Sequence, residues 1–389
     1  MTPLAQEIRK QITAEGPMGF DEWMDLALYH PSLGFYSKGG QAGRRGKDFL
    51  TSPEVGPLFG AVLAQVIDSC WNELGQPDNF TVIEAGAGRG ALAASVLRAK
   101  PACYDALRYV MVESSELLRD QQQETLKYVA PANNKILSLE KLPGCVSAKK
   151  VSGMKVSGMK VSGMKPTIPF GMVIANELLD NFPSRILEYT ASGWKEVLVG
   201  LEKDGPNFTS LSNMSFSECL ASISSEEQEL ATSLIHDTAV GTRIPLQTQA
   251  SAWICQACEL VDQGKVIIFD YGATTAELAK RGGWLRTYAK HGKGNSPLTR
   301  LGEQDITCDV AFDQLPPPAR LQTQAEFLQN WGIQSLIADG QKKWHSAKPT
   351  TEALIARSRL SEAAALCDPD TFGSYKVAQW HKQGGKNRA

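Results

Sequence analysis

The sequence predicts an α/β protein: a doubly wound, Rossmann-like sheet with a helical N-terminal extension and an inserted α+β subdomain. Two observations carry this. From Phe80 onward, short apolar runs alternate with segments of helical period, the texture of strands joined by crossover helices in a largely parallel sheet. The first of these runs ends in a glycine-rich turn, Glu84-Ala-Gly86-Ala-Gly88-Arg-Gly90, and an alanine-rich helical stretch follows.

Residues 1–78 form the extension. Leu4, Ile8 and Ile12 share one helix face, and Leu58, Phe59, Val62, Leu63, Val66, Ile67, Trp71 and Leu74 recur at intervals of three and four. Between them, residues 34–54 are polar and glycine-rich, too long for an idle connection and so a candidate binding loop. The core, 79–180 and 263–389, begins with the strand FTVIEAG, a helix near 90–100, the strand LRYVMVE, a helix near 115–128 and the strand KILSL. GMVIANE and KVIIFDYG continue the sheet. Short strands (WLRTYA, DITCDVAF, SYKVAQW) and helices near 323–331 and 351–366 complete the C-terminal part. The insertion, 181–262, has strands at SRILEYT and WKEVLVG and then two helical stretches, and reads as a lid or substrate platform. Within 146–165, Val-Ser-Gly-Met-Lys occurs three times in succession; a five-residue period fits neither strand nor helix, so a surface loop is expected.

Composition narrows the function. Forty basic and 42 acidic residues leave a net charge of −2, which gives no general attraction to nucleic acid or to an anionic membrane. No apolar run approaches the roughly 20 residues of a membrane span, the N-terminus reads as an amphipathic helix, and the expectation is a soluble, cytoplasmic protein. Eight dispersed cysteines point to reduced thiols. Cys255 and Cys258 lie close together, but no second pair completes a tetrahedral metal site, so core packing is expected and no metal is assigned.

Three constellations carry chemistry. Small residues at Gly86, Gly88 and Gly90 let a ligand approach the backbone, and Gly-x-Gly-x-Gly is not the Gly-x-Gly-x-x-Gly of dinucleotide enzymes. Glu84, two positions before the first glycine, favours S-adenosylmethionine, which carries an ammonium and a sulfonium and no phosphate. Glu113 ends the next strand, where an acid accepts hydrogen bonds from both ribose hydroxyls; a solvated strand end is the alternative. Asn176, Glu177 and Asp180 stand at the carboxyl end of the fourth strand, the edge at which open α/β sheets bind ligands, unless Asp180 merely caps a helix. The five histidines form no nucleophile-activating order, and His291 is the one placed to contact substrate.

GFYSKG, GKDFLTSPEVGPLFG, VIEAGAGRG, VESSELLRDQQ, IANELLDNFPSRI, WKEV, FDYG and PLTRLGEQDITCDV occur here in one order, and in this the chain resembles the MidA family of class I methyltransferases. That family includes a mitochondrial arginine methyltransferase that helps assemble respiratory complex I. The resemblance runs from about residue 15 to 315, with Lys47 between Gly46 and Asp48 and Ala87 where some members carry proline. It implies S-adenosylmethionine as cofactor, held by Glu84, Gly86, Gly88, Gly90 and Glu113. It further implies that Asp48, Thr51, Ser52, Glu54, Asn176, Glu177 and Asp180 line the transfer site. A protein substrate such as a complex I subunit follows, and a homodimer stays open.

For an arginine acceptor, a carboxylate is needed to bind the guanidinium and align one nitrogen with the methyl carbon. Glu177 is assigned that role, with Asp180 or Asp48 assisting. Two other readings stand: a nicotinamide-dependent oxidoreductase on a similar sheet, and a non-catalytic assembly factor that keeps the cofactor fold as a scaffold.

Overall fold

The computed structural model describes residues 2–39, 51–129, 135–143, 168–203, 214–289, 292–346 and 350–384. Asp48, the Val-Ser-Gly-Met-Lys repeat and His291 lie outside the described residues.

The strands in chain order are β1 (Phe80–Ala85), β2 (Leu107–Val112), β3 (Ile136–Leu139), β4 (Ile168–Asn176), β5 (Arg185–Thr190), β6 (Gly193–Lys203), β7 (Met214–Ser222) and β8 (Arg243–Leu246). They continue with β9 (Val261–Asp270), β10 (Leu285–Ala289), β11 (Asp305–Cys308), β12 (Arg320–Thr323) and β13 (Lys376–Lys382). Seven of them form one sheet in the order β12-β13-β9-β4-β1-β2-β3. β9, β4, β1, β2 and β3 run parallel, whereas β13 is antiparallel to β9 and β12 is antiparallel to β13. The chain moves outward from β1 through β2 to β3, then returns to lay β4 on the other side of β1. The carboxyl ends of β1 and β4 therefore border the crevice where such sheets bind ligands.

Both faces of this sheet are covered, which is why its inner strands read as continuous apolar runs instead of alternating ones. Met172, Val173, Ile174 and Ala175 on β4 are all fully buried. The helices α1 (Pro3–Glu15), α2 (Phe20–Tyr29), α3 (Ser52–Val55), α4 (Pro57–Glu73), α5 (Ala91–Ala99) and α6 (Glu116–Leu126) precede β3. α7 (Ser225–Leu234) lies between β7 and β8, and α8 (Thr248–Leu260), α9 (Thr275–Arg281), α10 (Gln324–Asn330), α11 (Ile333–Ser346) and α12 (Thr351–Leu366) follow β8. On one face, α4 and α5 pack with Phe327 and Leu328 of α10 and Leu366 of α12; Phe59 and Phe327 both meet the ring of Phe269 edge-on. Ala250, Ile254 and Ala257 of α8 cover the other face.

The stretch 1–78, expected as one helical extension, divides between two clusters. α4 belongs to the core, whereas Leu4, Ile8 and Ile12 of α1 and Phe20, Trp23 and Met24 of α2 pack against Val197 and Val199 of β6 and Ile306 of β11. Met18 and Gly19 also pair antiparallel with β6, so the N-terminus completes the inserted sheet. That sheet holds more than the two strands expected: β7 runs beside β6 from Lys195 to Lys203, and β8 pairs with β5. The second helical stretch of the insertion is α8, which serves the core. Cys255 on α8 is exposed and Cys258 half-buried, so the packing expected of both holds only in part for Cys258. Helix exposure follows the 3.6-residue period, and the two positions fall on the rim of the buried stripe.

Candidate active site

β1 ends in the glycine turn, and Gly86, Gly88 and Gly90 all take positive φ (+70°, +52° and +83°). A Cβ on Gly86 would lie 3.0 Å from the Leu178 side chain, whereas one on Gly88 would meet nothing within 4 Å. Gly86 thus lets the end of β4 close against the turn, and Gly88 leaves the space over its Cα open to a ligand. The turn is fixed from β2 and α6. Glu113 accepts from the backbone N–H groups of Gly88 (2.9 Å) and Ser115 (2.8 Å), and the Gln122 amide donates to the Gly88 carbonyl (2.7 Å).

Glu84 faces the protein. Its carboxylate accepts from Tyr109 Oη on β2 (2.8 Å) and from the Ala93 N–H in the first turn of α5. Burial raises it to about 8, so at neutral pH it is largely a neutral brace between two strands and a helix. Its effect on the turn is structural, through these partners.

At the end of β4, Glu177 adopts φ +51°, a left-handed conformation rare for a residue with a side chain. Its N–H donates to the Phe269 carbonyl (2.8 Å), and its Oε1 accepts from the Ser52 N–H (3.1 Å) and the Asn176 amide (3.0 Å). Ser52 is presented by α3, where Thr51 and Glu54 form a capping box. Glu54 also lies 3.5 Å from Arg89 of the glycine turn. Gly86, Gly88, Glu113, Thr51, Ser52, Glu54, Asn176 and Glu177 therefore line one crevice, its two sides joined by the Glu54–Arg89 contact. Asp180 joins it on the turn Leu179–Asn181, where Tyr271 Oη hydrogen-bonds its carboxylate.

Further residues enter the site that the sequence did not single out individually. Asp270, fully buried at the end of β9, accepts from the N–H groups of Leu178, Leu179 and Tyr271 and so shapes the Asp180 turn. Asp305 on β11 accepts from Tyr36 Oη and from the Asn181 amide (3.1 Å), while Tyr36 also donates to Asn181 Oδ1 (2.9 Å). Arg286 lies 5.0 Å over the Tyr271 ring and is held by Asp309.

This concentration of acids has an electrostatic consequence. Burial, then the neighbouring Asp180 and Glu54, raise Glu177 to about 8 against the pull of the Ser52 N–H and the Asn176 amide. Burial lifts Asp180 to about 6, opposed by Tyr271 and Arg286, and burial with Asp180 lifts Asp305 to about 7. The site resists carrying all these charges at once and favours a cation, which would restore them. Asp180 Oδ1, Asn176 Oδ1 and Gln122 Oε1 are buried acceptors with no hydrogen-bond partner among the described residues. Open space at Gly88, unfilled acceptors and carboxyls that a cation would return to their charged form together fit S-adenosylmethionine, whose sulfonium and ammonium are positive. Gly86, Gly88, Gly90 and Glu113 border that space and could hold it.

Comparison with known proteins agrees with this geometry. A family model described as "Putative S-adenosyl-L-methionine-dependent methyltransferase" matches residues 62–330. The chain is 28% identical over 312 residues to the Drosophila melanogaster "Protein arginine methyltransferase NDUFAF7 homolog, mitochondrial", covering 79% of this chain and 68% of that one. It is also 28% identical over 350 residues to "Protein arginine methyltransferase NDUFAF7, mitochondrial" of Rattus norvegicus, covering 86% and 75%. A crystal structure of a "likely methyl transferase" from Burkholderia thailandensis, bound to S-adenosyl-homocysteine, superposes with a TM-score of 0.77 at 26% identity over 98% of this chain and 92% of that one. These findings set the oxidoreductase reading aside and confirm the cofactor expected from the glycine turn. The chain belongs to the family of S-adenosyl-L-methionine-dependent methyltransferases and is an enzyme of that class, built on the doubly wound sheet of class I.

Proposed function

We propose that the methyl acceptor is an arginine side chain of a partner protein, bound by Glu177 with Asp180 beside it. The observation that carries this is the carboxylate pair after β4, Asp180 buried and Glu177 half-buried, with Glu177 oriented through one oxygen by the Ser52 N–H and the Asn176 amide. The names of the relatives, protein arginine methyltransferases, support it. A free guanidinium is always protonated, and its nitrogens are equivalent and weakly nucleophilic. A carboxylate on one side localises the charge and leaves the opposite nitrogen with electron density to share. S-adenosylmethionine supplies the electrophilic methyl carbon on its sulfonium. With the cofactor bound, Glu177 would align the nitrogen with the methyl carbon, and the Asp180 carboxylate would take the proton displaced from that nitrogen and pass it to water.

The acidic lining favours a cationic acceptor over a hydroxyl or carboxylate group. A respiratory complex I subunit is the partner that the MidA resemblance supplies. The sheet of β5–β8 is the surface on which that partner would rest, and a homodimer would use the same kind of surface. No helix among the described residues is long and apolar enough to cross a membrane. The seven described cysteines are unpaired, which suits a reducing, cytoplasmic location, although the relatives above are named mitochondrial.

The test is transfer of tritiated methyl from S-adenosylmethionine into a soluble protein extract, followed by acid hydrolysis and separation of methylated amino acids. Label in methylated arginine, lost with Glu177→Gln, supports the assignment. Label confined to other amino acids would refute the arginine reading.

A further inference from the structure

The C-terminal helices grip the turn that orients Glu177. Gln324, fully buried at the start of α10, accepts from Ser52 Oγ through its Oε1 (3.1 Å) and donates through Nε2 to the Leu366 carbonyl at the end of α12 (3.0 Å). Its own N–H donates to the Tyr375 carbonyl (2.7 Å). Three residues beyond α3, the Leu58 N–H donates to Glu362 of α12 (2.8 Å), which is itself held by Ser358. A Cβ at Gly56 would lie 2.2 Å from the Glu362 carboxyl carbon, so the turn and α12 are packed to contact. Ser52 is fully buried, and its backbone N–H donates to Glu177 Oε1 (3.1 Å).

We propose that Gln324 is a positioning residue for methyl transfer: by holding the Ser52 hydroxyl it aims the Ser52 N–H at Glu177 and so fixes the carboxylate that binds the acceptor. The inference rests on the role given to Glu177 above. It assigns the C-terminal helices a part in catalysis without any contact to cofactor or acceptor. Two buried side-chain bonds in series set the direction of one N–H, and a misaimed N–H weakens steeply as its angle closes.

The pH dependence separates this role from a merely structural one. The Ser52 N–H lowers the Glu177 pKa, while Asp180, Glu54, Asp270 and Tyr375 surround the same carboxylate and stay unchanged in a Gln324 variant. Loss of the aimed N–H therefore moves the acid limb of the transfer rate to higher pH. The extract assay above is run on the full chain with Gln324→Leu, Gln324→Glu and Ser52→Ala. We expect Gln324→Leu and Ser52→Ala to slow transfer about tenfold, the size of one well-made hydrogen bond, with the acid limb displaced upward. Calorimetric affinity for S-adenosylhomocysteine should stay within about twofold, since no cofactor contact is touched. Gln324→Glu, which keeps an acceptor for Ser52 Oγ, should recover most of the rate. Ser52→Ala decides the matter if Gln324→Leu does not fold. Wild-type rate and an unmoved limb in Ser52→Ala, with Glu177→Gln inactive in the same assay, would overturn the role of Gln324. Full activity in Glu177→Gln would instead remove the Glu177 assignment, and the inference with it.

Discussion

The two walls of the crevice are built differently. The cofactor wall is made of backbone: three glycines at positive φ, with Glu113 after β2 accepting from the Gly88 N–H and Gln122 of α6 donating to the Gly88 carbonyl. The transfer wall is made of side chains drawn from α3, the end of β4, the end of β9 and β11, and its character is the charge they share. A backbone site is specified by local sequence and fails when a single Cβ is added. A side-chain site is assembled by the tertiary fold, and its failure depends on which partner is removed.

Glu177→Gln should separate the walls most sharply. It keeps the shape of the side chain and removes its charge, so methyl transfer should fall by about 100-fold or more, in the range of a lost charged catalytic contact. S-adenosylhomocysteine affinity by calorimetry should barely change; a matching loss of both would mean that the walls are not separable. Gly86→Val works in the opposite sense. The side chain would be forced to φ +70° and against Leu178, a strain of about 1–3 kcal/mol. We expect S-adenosylhomocysteine affinity to drop about tenfold or more, and affinity equal to wild type would show that the turn accommodates branched residues.

Glu84 lies under the cofactor wall, and its contribution is visible in stability. Its carboxyl goes from about 4.5 to about 8 on folding because of burial. The folded state holds the proton more tightly than the unfolded chain, so this contribution is complete below about pH 4.5 and is lost as pH rises through about 8. Glu177 and Asp305, raised for the same reason, add slopes of the same sign. The melting temperature of the ligand-free protein should therefore decline from pH 5.5 to 8.5, and Glu84→Gln should flatten that decline. An unchanged slope in the variant would place the proton elsewhere. The smallest effect belongs to Cys255 and Cys258, whose joint replacement by serine on the solvent rim of α8 should shift stability by less than about 1 kcal/mol and leave cofactor affinity alone. A large loss of affinity on that change would reveal a role for the pair beyond packing.

The same contrast governs what could be read from the sequence. The parallel core was legible because each buried strand is a continuous apolar run and each helix repeats at three and four, and the glycine turn because its spacing is local. β12, only four residues long, lacked any such pattern, as did the pairing of Met18 and Gly19 with β6. In the site, Asn176, Glu177 and Asp180 were legible from a strand end, and Ser52 and Glu54 from the family block around them. Asp270 and Tyr271 stood in the quoted run FDYG and Asp305 in QDITCDV, yet nothing within either run says that the end of β9 and the start of β11 meet the turn after β4. Tyr36 and Gln324 are harder still, since each acts on a residue far along the chain.

Glu177 carries a consequence for how this protein responds to selection. Holding a side chain at φ +51° costs about 1–2 kcal/mol that glycine would not incur and asparagine would incur less. Position 177 is thus a place where durability and activity pull against each other. A library enriched only for survival after heating should accumulate glycine or asparagine there, and those survivors should have lost methyl transfer. Enrichment for turnover should restore glutamate and give back the heat resistance.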